Sequence, residues 1–256
     1  MDAFWGPITS TIEWCEGNYV IVPWIAEFWN TVTSLMIALF GLVVWQLHRD
    51  HDLGMRLAFI ALAIVGLGSV AFHGTLRFEA QMMDELPMMW GALCMFYNLA
   101  TGLMPKRHHR RFATALIVWG LATTLAMILT RHTIEFQVFV TNFLLAEALG
   151  FAAAVPLYRR FINPNVRRWF WTGVGLHAFG GLCWITEQNP AVCDTLLQWT
   201  LNPQLHAVWH VFTGAGMYTL FVCTAAYRGL AEQKTTVIVR VAGVVPAARF
   251  IDPPAS

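Results

Sequence analysis

Residues 57–76 read LAFIALAIVGLGSVAFHGTL, twenty positions without Asp, Glu, Lys or Arg. A helix of that length rises about 30 Å, the thickness of a bilayer's hydrocarbon core. The stretch therefore reads as a membrane span. It also carries Ser69 and His73 four residues apart near one end, on one face of the helix. Six further apolar stretches flank it: Trp24–His48, Met83–Leu103, Phe112–Thr130, Phe136–Tyr158, Trp169–Thr186 and Leu205–Tyr227. Seven spans with short connections predict an all-α membrane protein, a seven-transmembrane helix bundle in which each helix satisfies its own backbone groups.

Composition agrees. Of 256 residues, 57% are hydrophobic and 12% charged, too few charges to clothe a water-soluble globule. The net charge of +1 offers no basic field for nucleic acid. All but Arg77 and Arg131 of the 16 Lys and Arg residues fall in the loops after spans one, three and five or in the C-terminal tail. Positive charge stays on the cytosolic side. The N-terminus is thus expected in the lumen or outside the cell, and the C-terminus in the cytosol. Residues 1–23 form a luminal segment, 24–228 the seven-transmembrane catalytic domain, and 229–256 the cytosolic tail. Residues 1–23 lack the basic start and continuous apolar run of a signal peptide, so the first helix is expected to stay as an uncleaved anchor. The expected setting is a multi-pass protein of the endoplasmic reticulum or Golgi membrane. The apolar patch Val237–Val245 is too short to span and is expected to lie at the membrane interface.

Ionisable groups inside spans are costly and mark function by default. On the expected topology His73, Asp84, His206 and His210 reach similar depth in the outer leaflet, with Ser69 beside them. His206 and His210 leave one helix face a turn apart, a natural two-ligand unit, and His73 supplies a third imidazole. Three imidazoles and a water make a tetrahedral zinc site with an open catalytic position. The bland alternative for any one of these histidines is an interfacial or hydrogen-bonded side chain. His48, His51, His108, His109 and His132 fall in loops and are expected to be solvated; His177, inside a span, is expected to be packed and hydrogen-bonded. Glu147 lies deep in the fifth span and needs a partner that the sequence does not name.

Cys15 and Cys193 both fall on the oxidising side and are expected to pair as a disulfide, with two free thiols as the alternative. Cys94, Cys183 and Cys223 lie within spans. Glu13, Glu16, Asn18 and Glu27, with the Trp14 carbonyl, are hard oxygen ligands of the kind calcium takes; the plain alternative is a solvated acidic segment.

Four blocks carry a resemblance: WGPITSTIEWCEGNY (5–19), AEFWNTVTS (26–34), GSVAFHGTLRFEAQMMDELPM (68–88) and HAVWHVFTG (206–214). In sequence, order and spacing they resemble the alkaline ceramidases, within the seven-helix hydrolase superfamily that includes the adiponectin receptors. The resemblance implies a zinc amidase that splits ceramide into sphingosine and a fatty acid. It implies zinc on His73, His206 and His210, a catalytic role for Ser69 and Asp84, and calcium on Glu13, Trp14, Glu16, Asn18 and Glu27. It also implies a Cys15–Cys193 disulfide. Where those proteins carry an aspartate, this chain has Glu13. The implied partners are a sphingolipid substrate and the bilayer, with no obligate protein partner evident. Rival readings are a superfamily hydrolase acting on another lipid, a receptor with structural zinc, and an ion-coupled transporter using Glu147 and Asp84.

Overall fold

The computed structural model describes residues 4–160, 163–198, 202–232 and 234–251; the ends of the expected N-terminal segment and C-terminal tail lie outside them. Seven long helices follow in order: α1 (Phe28–Leu47), α2 (Leu53–Thr75), α3 (Phe78–Thr101), α4 (Lys106–Leu129), α5 (Glu135–Arg160), α6 (Pro164–Glu187) and, after the short α7 (Pro190–Gln198), α8 (Leu205–Ala231). They correspond to the seven expected spans. The sequence reading did not anticipate α7, whose nine residues are too few to cross. The chain is a multi-pass membrane helix bundle.

Five of these helices, α1, α2, α4, α5 and α8, are long and apolar enough to cross a membrane by length and composition. Helices α3 and α6 are as long but more polar. Helix α3 carries Glu79, Gln81, Asp84, Glu85 and Asn98, and α6 carries Arg167, Arg168 and Glu187. Four of these α3 side chains turn inward: Gln81, Asp84, Glu85 and Asn98 are buried, while Leu35, Leu39, Ile64, Leu67, Leu121 and Leu125 of other helices are exposed. A bundle that is apolar outside and polar inside suits lipid as its solvent.

Helix α1 packs between α2 and α8, α8 packs on α6, and α3 packs on α2 and α5, with α4 against α3 and α5. Small residues allow close approach where no hydrophobic drive separates helix from lipid. A Cβ on Gly41 of α1 would meet Ala63 N of α2 at 2.2 Å, so only glycine fits. The residues before α1 strap the ends of α2 and α3: Thr9 N and Ser10 N donate to Leu76 O, and Ala26 N donates to Gly74 O.

The tail departs from expectation. Thr235–Val241 (β1) and Val245–Ile251 (β2) pair antiparallel, with Thr235 opposite Ile251. The run TTVIVRV is rich in β-branched residues, which suit strands, and Ala242 and Gly243 take the left-handed conformation of a tight turn. The hairpin packs on α8 and α6 and reaches the end of α1, where Arg249 donates to Leu47 O at 2.7 Å, with Ile238 and Ala248 in the main apolar core. Tyr218 Oη donates to Pro246 O at 2.7 Å. His48, expected in solvent, is buried for the same reason: its Nε2 accepts from Ala248 N at 3.0 Å.

Candidate metal centre

His73 leaves α2, and His206 and His210 leave α8 one turn apart. Their rings lie 4.5–5.0 Å apart between centroids. One ring nitrogen from each falls within 4.8 Å of the others, all three residues are buried, and among the described residues this is the cluster of such groups able to hold a metal. The spacing that put two imidazoles on one helix face thus brings them to a third from another helix.

Each ring is held from behind. His73 Nδ1 lies 2.6 Å from Glu27 Oε2, and its buried Nε2 has no hydrogen-bond partner among the described residues. His210 Nδ1 lies 3.0 Å from Thr33 Oγ1 and 3.4 Å from Ser34 Oγ. His206 is held by stacking on Trp14 at 3.7 Å between centroids; its buried Nδ1, 3.9 Å from Glu187 Oε2, has no hydrogen-bond partner among the described residues. A metal-bound imidazole usually spends its second nitrogen on such a partner, which fixes tautomer and ring orientation. An orphaned Nε2 on His73, opposed to two more imidazoles, fits a cation that takes nitrogen ligands. Glu27, Thr33 and Ser34 had no assigned place behind the ring nitrogens in the sequence; all three sit in the block AEFWNTVTS, so proximity to that block was the available signal.

Ser69 and Asp84 come to the same place. Gly68 makes this possible: a Cβ there would meet Met83 O at 1.9 Å, so α2 and α3 touch backbone to backbone just where these residues sit. Ser69 and Asp84 line one cavity, and Ser69 Oγ accepts from Ser34 Oγ at 2.9 Å. A cavity of about 80 Å³ is lined by Ser69, Asp84, Glu85, His206 and His210 and walled by Phe139, Phe143, Trp209 and Met217. A second, apolar cavity of about 50 Å³, lined by Met95, Leu99, Phe151 and Tyr227, shares Ala92, Glu147 and Met217 with it. Glu147 has its partner here: its Oε2 lies 3.3 Å from His177 Nε2 on α6.

The acidic N-terminal group gathers around the start of α1. Glu16 accepts from Trp29 N at 2.7 Å and Asn30 N at 3.0 Å, the free amides of the helix's first turn. Burial pushes the Glu16 carboxyl above its ordinary value, and these amides oppose the shift. Glu27 accepts from Trp14 N and from Asn30 Nδ2. Glu13 accepts from Asn18 Nδ2 at 2.9 Å, while Asn18 Oδ1 is buried without a partner among the described residues. The Trp14 carbonyl accepts from Glu16 N at 2.8 Å. Cys15 and Cys193 form a disulfide that ties this strap to α7, and Cys94, Cys183 and Cys223 are free. Glu187 adds an unforeseen tie by accepting from Cys15 N at 2.7 Å.

Comparison with known proteins agrees with the geometry. The Ceramidase family model matches residues 6–246. The chain is 33% identical to "Alkaline ceramidase" of Arabidopsis thaliana over 90% of this chain and 89% of that protein. It is 30% identical to "Alkaline ceramidase 3" of Mus musculus over 96% and 94%. It is also 30% identical to "Alkaline ceramidase YPC1" of Saccharomyces cerevisiae over 85% and 76%. With nearly its whole length matched and its histidines converging inside the bundle, this chain belongs to the alkaline ceramidase family.

Proposed function

We propose that the protein is a zinc-dependent amidohydrolase that splits ceramide into a sphingoid base and a fatty acid. The observation that carries this reading is the buried His73–His206–His210 group, two of whose members, His206 and His210, line a cavity together with Ser69 and Asp84. A purely structural zinc site is normally closed by four protein ligands, whereas His206 and His210 face open space. Zinc held there would supply a Lewis acid and lower the pKa of a bound water toward neutrality.

The chain's own groups then have definable work. Asp84 takes a proton from the attacking water and returns one to the leaving amine nitrogen. The Ser69 hydroxyl donates to the carbonyl oxygen as negative charge develops on it. Trp14, stacked on His206, keeps bulk water off that face. The Phe, Leu and Met side chains of the two adjoining cavities receive hydrocarbon.

Calcium on Glu13, the Trp14 carbonyl, Glu16, Asn18 and Glu27 would brace the strap over the helix ends. The unpartnered Asn18 Oδ1 and the buried Glu16 carboxyl support that reading. The site faces the lumen or exterior, with the hairpin in the cytosol, in a membrane of the endoplasmic reticulum or Golgi.

The test is product analysis with purified protein and ceramide, with and without a zinc chelator. Release of sphingosine that stops on chelation and returns with zinc is the expected result. Lipid turnover unchanged by the chelator would overturn the metal mechanism, and no ceramide turnover would overturn the substrate.

A further inference from the structure

Two buried carboxyl groups beside the centre have no part in the mechanism above. Glu85 on α3 lines the cavity that holds Ser69, Asp84, His206 and His210. Glu135 opens α5 and lines a different cavity, of about 520 Å³, with Thr9, Thr11, Arg131, His132 and Gln137. That second cavity reaches the surface at exposed His132 and Thr133. The two carboxyl groups meet at one amide: Gln81 Nε2 donates to Glu85 Oε1 at 2.9 Å and to Glu135 Oε2 at 3.1 Å. Thr11 Oγ1 donates to Glu135 Oε2. Glu85 is 3% and Glu135 1% exposed, yet Glu85 Oε2 and Glu135 Oε1 lack hydrogen-bond donors among the described residues. Two buried carboxyl groups bridged by one amide, each lining a different cavity, are placed to hand a proton from one cavity to the other.

The reaction needs such a path. Above the pKa of the product ammonium, hydrolysis reads R–CO–NH–R′ + H2O → R–COO⁻ + R′–NH2 + H⁺. One proton per turnover must leave a buried cavity whose lining is mostly apolar. Below that pKa the amine keeps the proton and nothing has to be exported. We infer that Glu85 and Glu135 form a proton conduit from the catalytic cavity to the aqueous surface, accepting one proton on the Glu85 side and releasing one from Glu135. Asp84 and Glu85 adjoin on α3 and point at different angles, so cavity water carries the proton between them. The other ionisable groups around the path are Glu147, His206 and His210 on the inner side. Arg131, paired to Glu79 at 3.7 Å, and His132 lie on the outer side.

This inference rests on the amidohydrolase reading, and one experiment separates the two. Ceramide hydrolysis by wild type, Glu135→Gln and Glu85→Gln is measured across pH at low and high concentrations of a small buffer such as imidazole. Zinc content and melting temperature are measured alongside. Each variant should lose at least about 10-fold in kcat at alkaline pH in dilute buffer. The deficit should close as pH falls below the ammonium pKa, and concentrated buffer should restore part of the Glu135→Gln rate. Zinc content should stay at the wild-type level. Glu135→Asp, which keeps the acid, should stay active and insensitive to buffer, and it serves if the amide variant fails to fold. Wild-type rates in the variants, a deficit independent of both pH and buffer, or a Glu135→Asp rate that needs added buffer would overturn the conduit alone. Inactive wild type would overturn the hydrolase reading, and the conduit with it.

Discussion

Glu27 Oε2 sits 2.6 Å from His73 Nδ1, with both side chains fully buried, so the residue that precedes α1 holds a ring of the candidate metal centre on α2. The same carboxylate accepts from Trp14 N. Strap, first helix and metal centre are thereby one mechanical unit. Glu27→Gln should weaken zinc binding by about 10- to 100-fold, the usual cost of losing a ligand's outer partner. Titration with a competing chelator reads this directly, and unchanged affinity would show that His73 is oriented by something else.

His206→Ala removes one of the three proposed ligands and the ring on which Trp14 stacks. Zinc content measured by mass spectrometry should fall well below one per chain, and ceramide hydrolysis should be lost with it. A variant that keeps both a full complement of zinc and full activity would refute the assignment.

Gly68→Ala should be among the most damaging single-methyl changes in the protein. The new Cβ would stand 1.9 Å from Met83 O, and backbone cannot swing aside as a side chain does. Overpacking of this kind costs about 1–3 kcal/mol or more. A lower melting temperature in detergent, with a loss of activity larger than the stability change explains, is the expected pair of results, because the displaced helices carry Ser69 and Asp84.

Replacing Cys15 or Cys193 with Ser should loosen the strap rather than unfold the bundle. The helices keep their own contacts, while Trp14 and Glu16 lose an anchor 178 residues away in sequence. Faster proteolysis or hydrogen exchange across residues 5–20, with that of α2 and α3 little changed, would bear this out.

Acid should undo the hairpin's docking. His51 stacks near His48 and meets Phe250 of β2 edge to face at 5.0 Å. Burial holds the His51 imidazole below its ordinary value, with Asp52 opposing and Lys234 and Arg228 reinforcing the shift. The folded protein therefore binds fewer protons there than the unfolded chain. The stabilisation is complete above the unfolded value of about 6.5 and declines as pH falls through it. Hydrogen exchange of β2 amides should quicken from pH 7.5 to pH 5.5, less so in His51→Gln.

The long helices were legible because lipid demands unbroken apolar runs, and the three histidines because two share a helix face. The sequence also carried the strap's cysteines. The hairpin was not legible: TTVIVRV and VPAARFI become strands only by meeting each other and the floor formed by Tyr218 and His48, and β pairing depends on contacts that local pattern does not encode. His48 was misplaced for the same reason. The Glu147–His177 pair was hidden because its members stand 30 positions apart on helices whose facing is set by tertiary packing. Five expected spans also began later than their helices, as α2 begins at Leu53, where Asp52 caps its first amides.

The hairpin gives residues 235–251 an unexpected weight. A premature stop after Lys234 would spare every histidine of the centre. Yet it would strip a wall from the bundle, uncovering Tyr218, His48 and the apolar floor beneath Ile238. Nonsense and frameshift alleles that remove these two strands should therefore behave as folding defects subject to quality control.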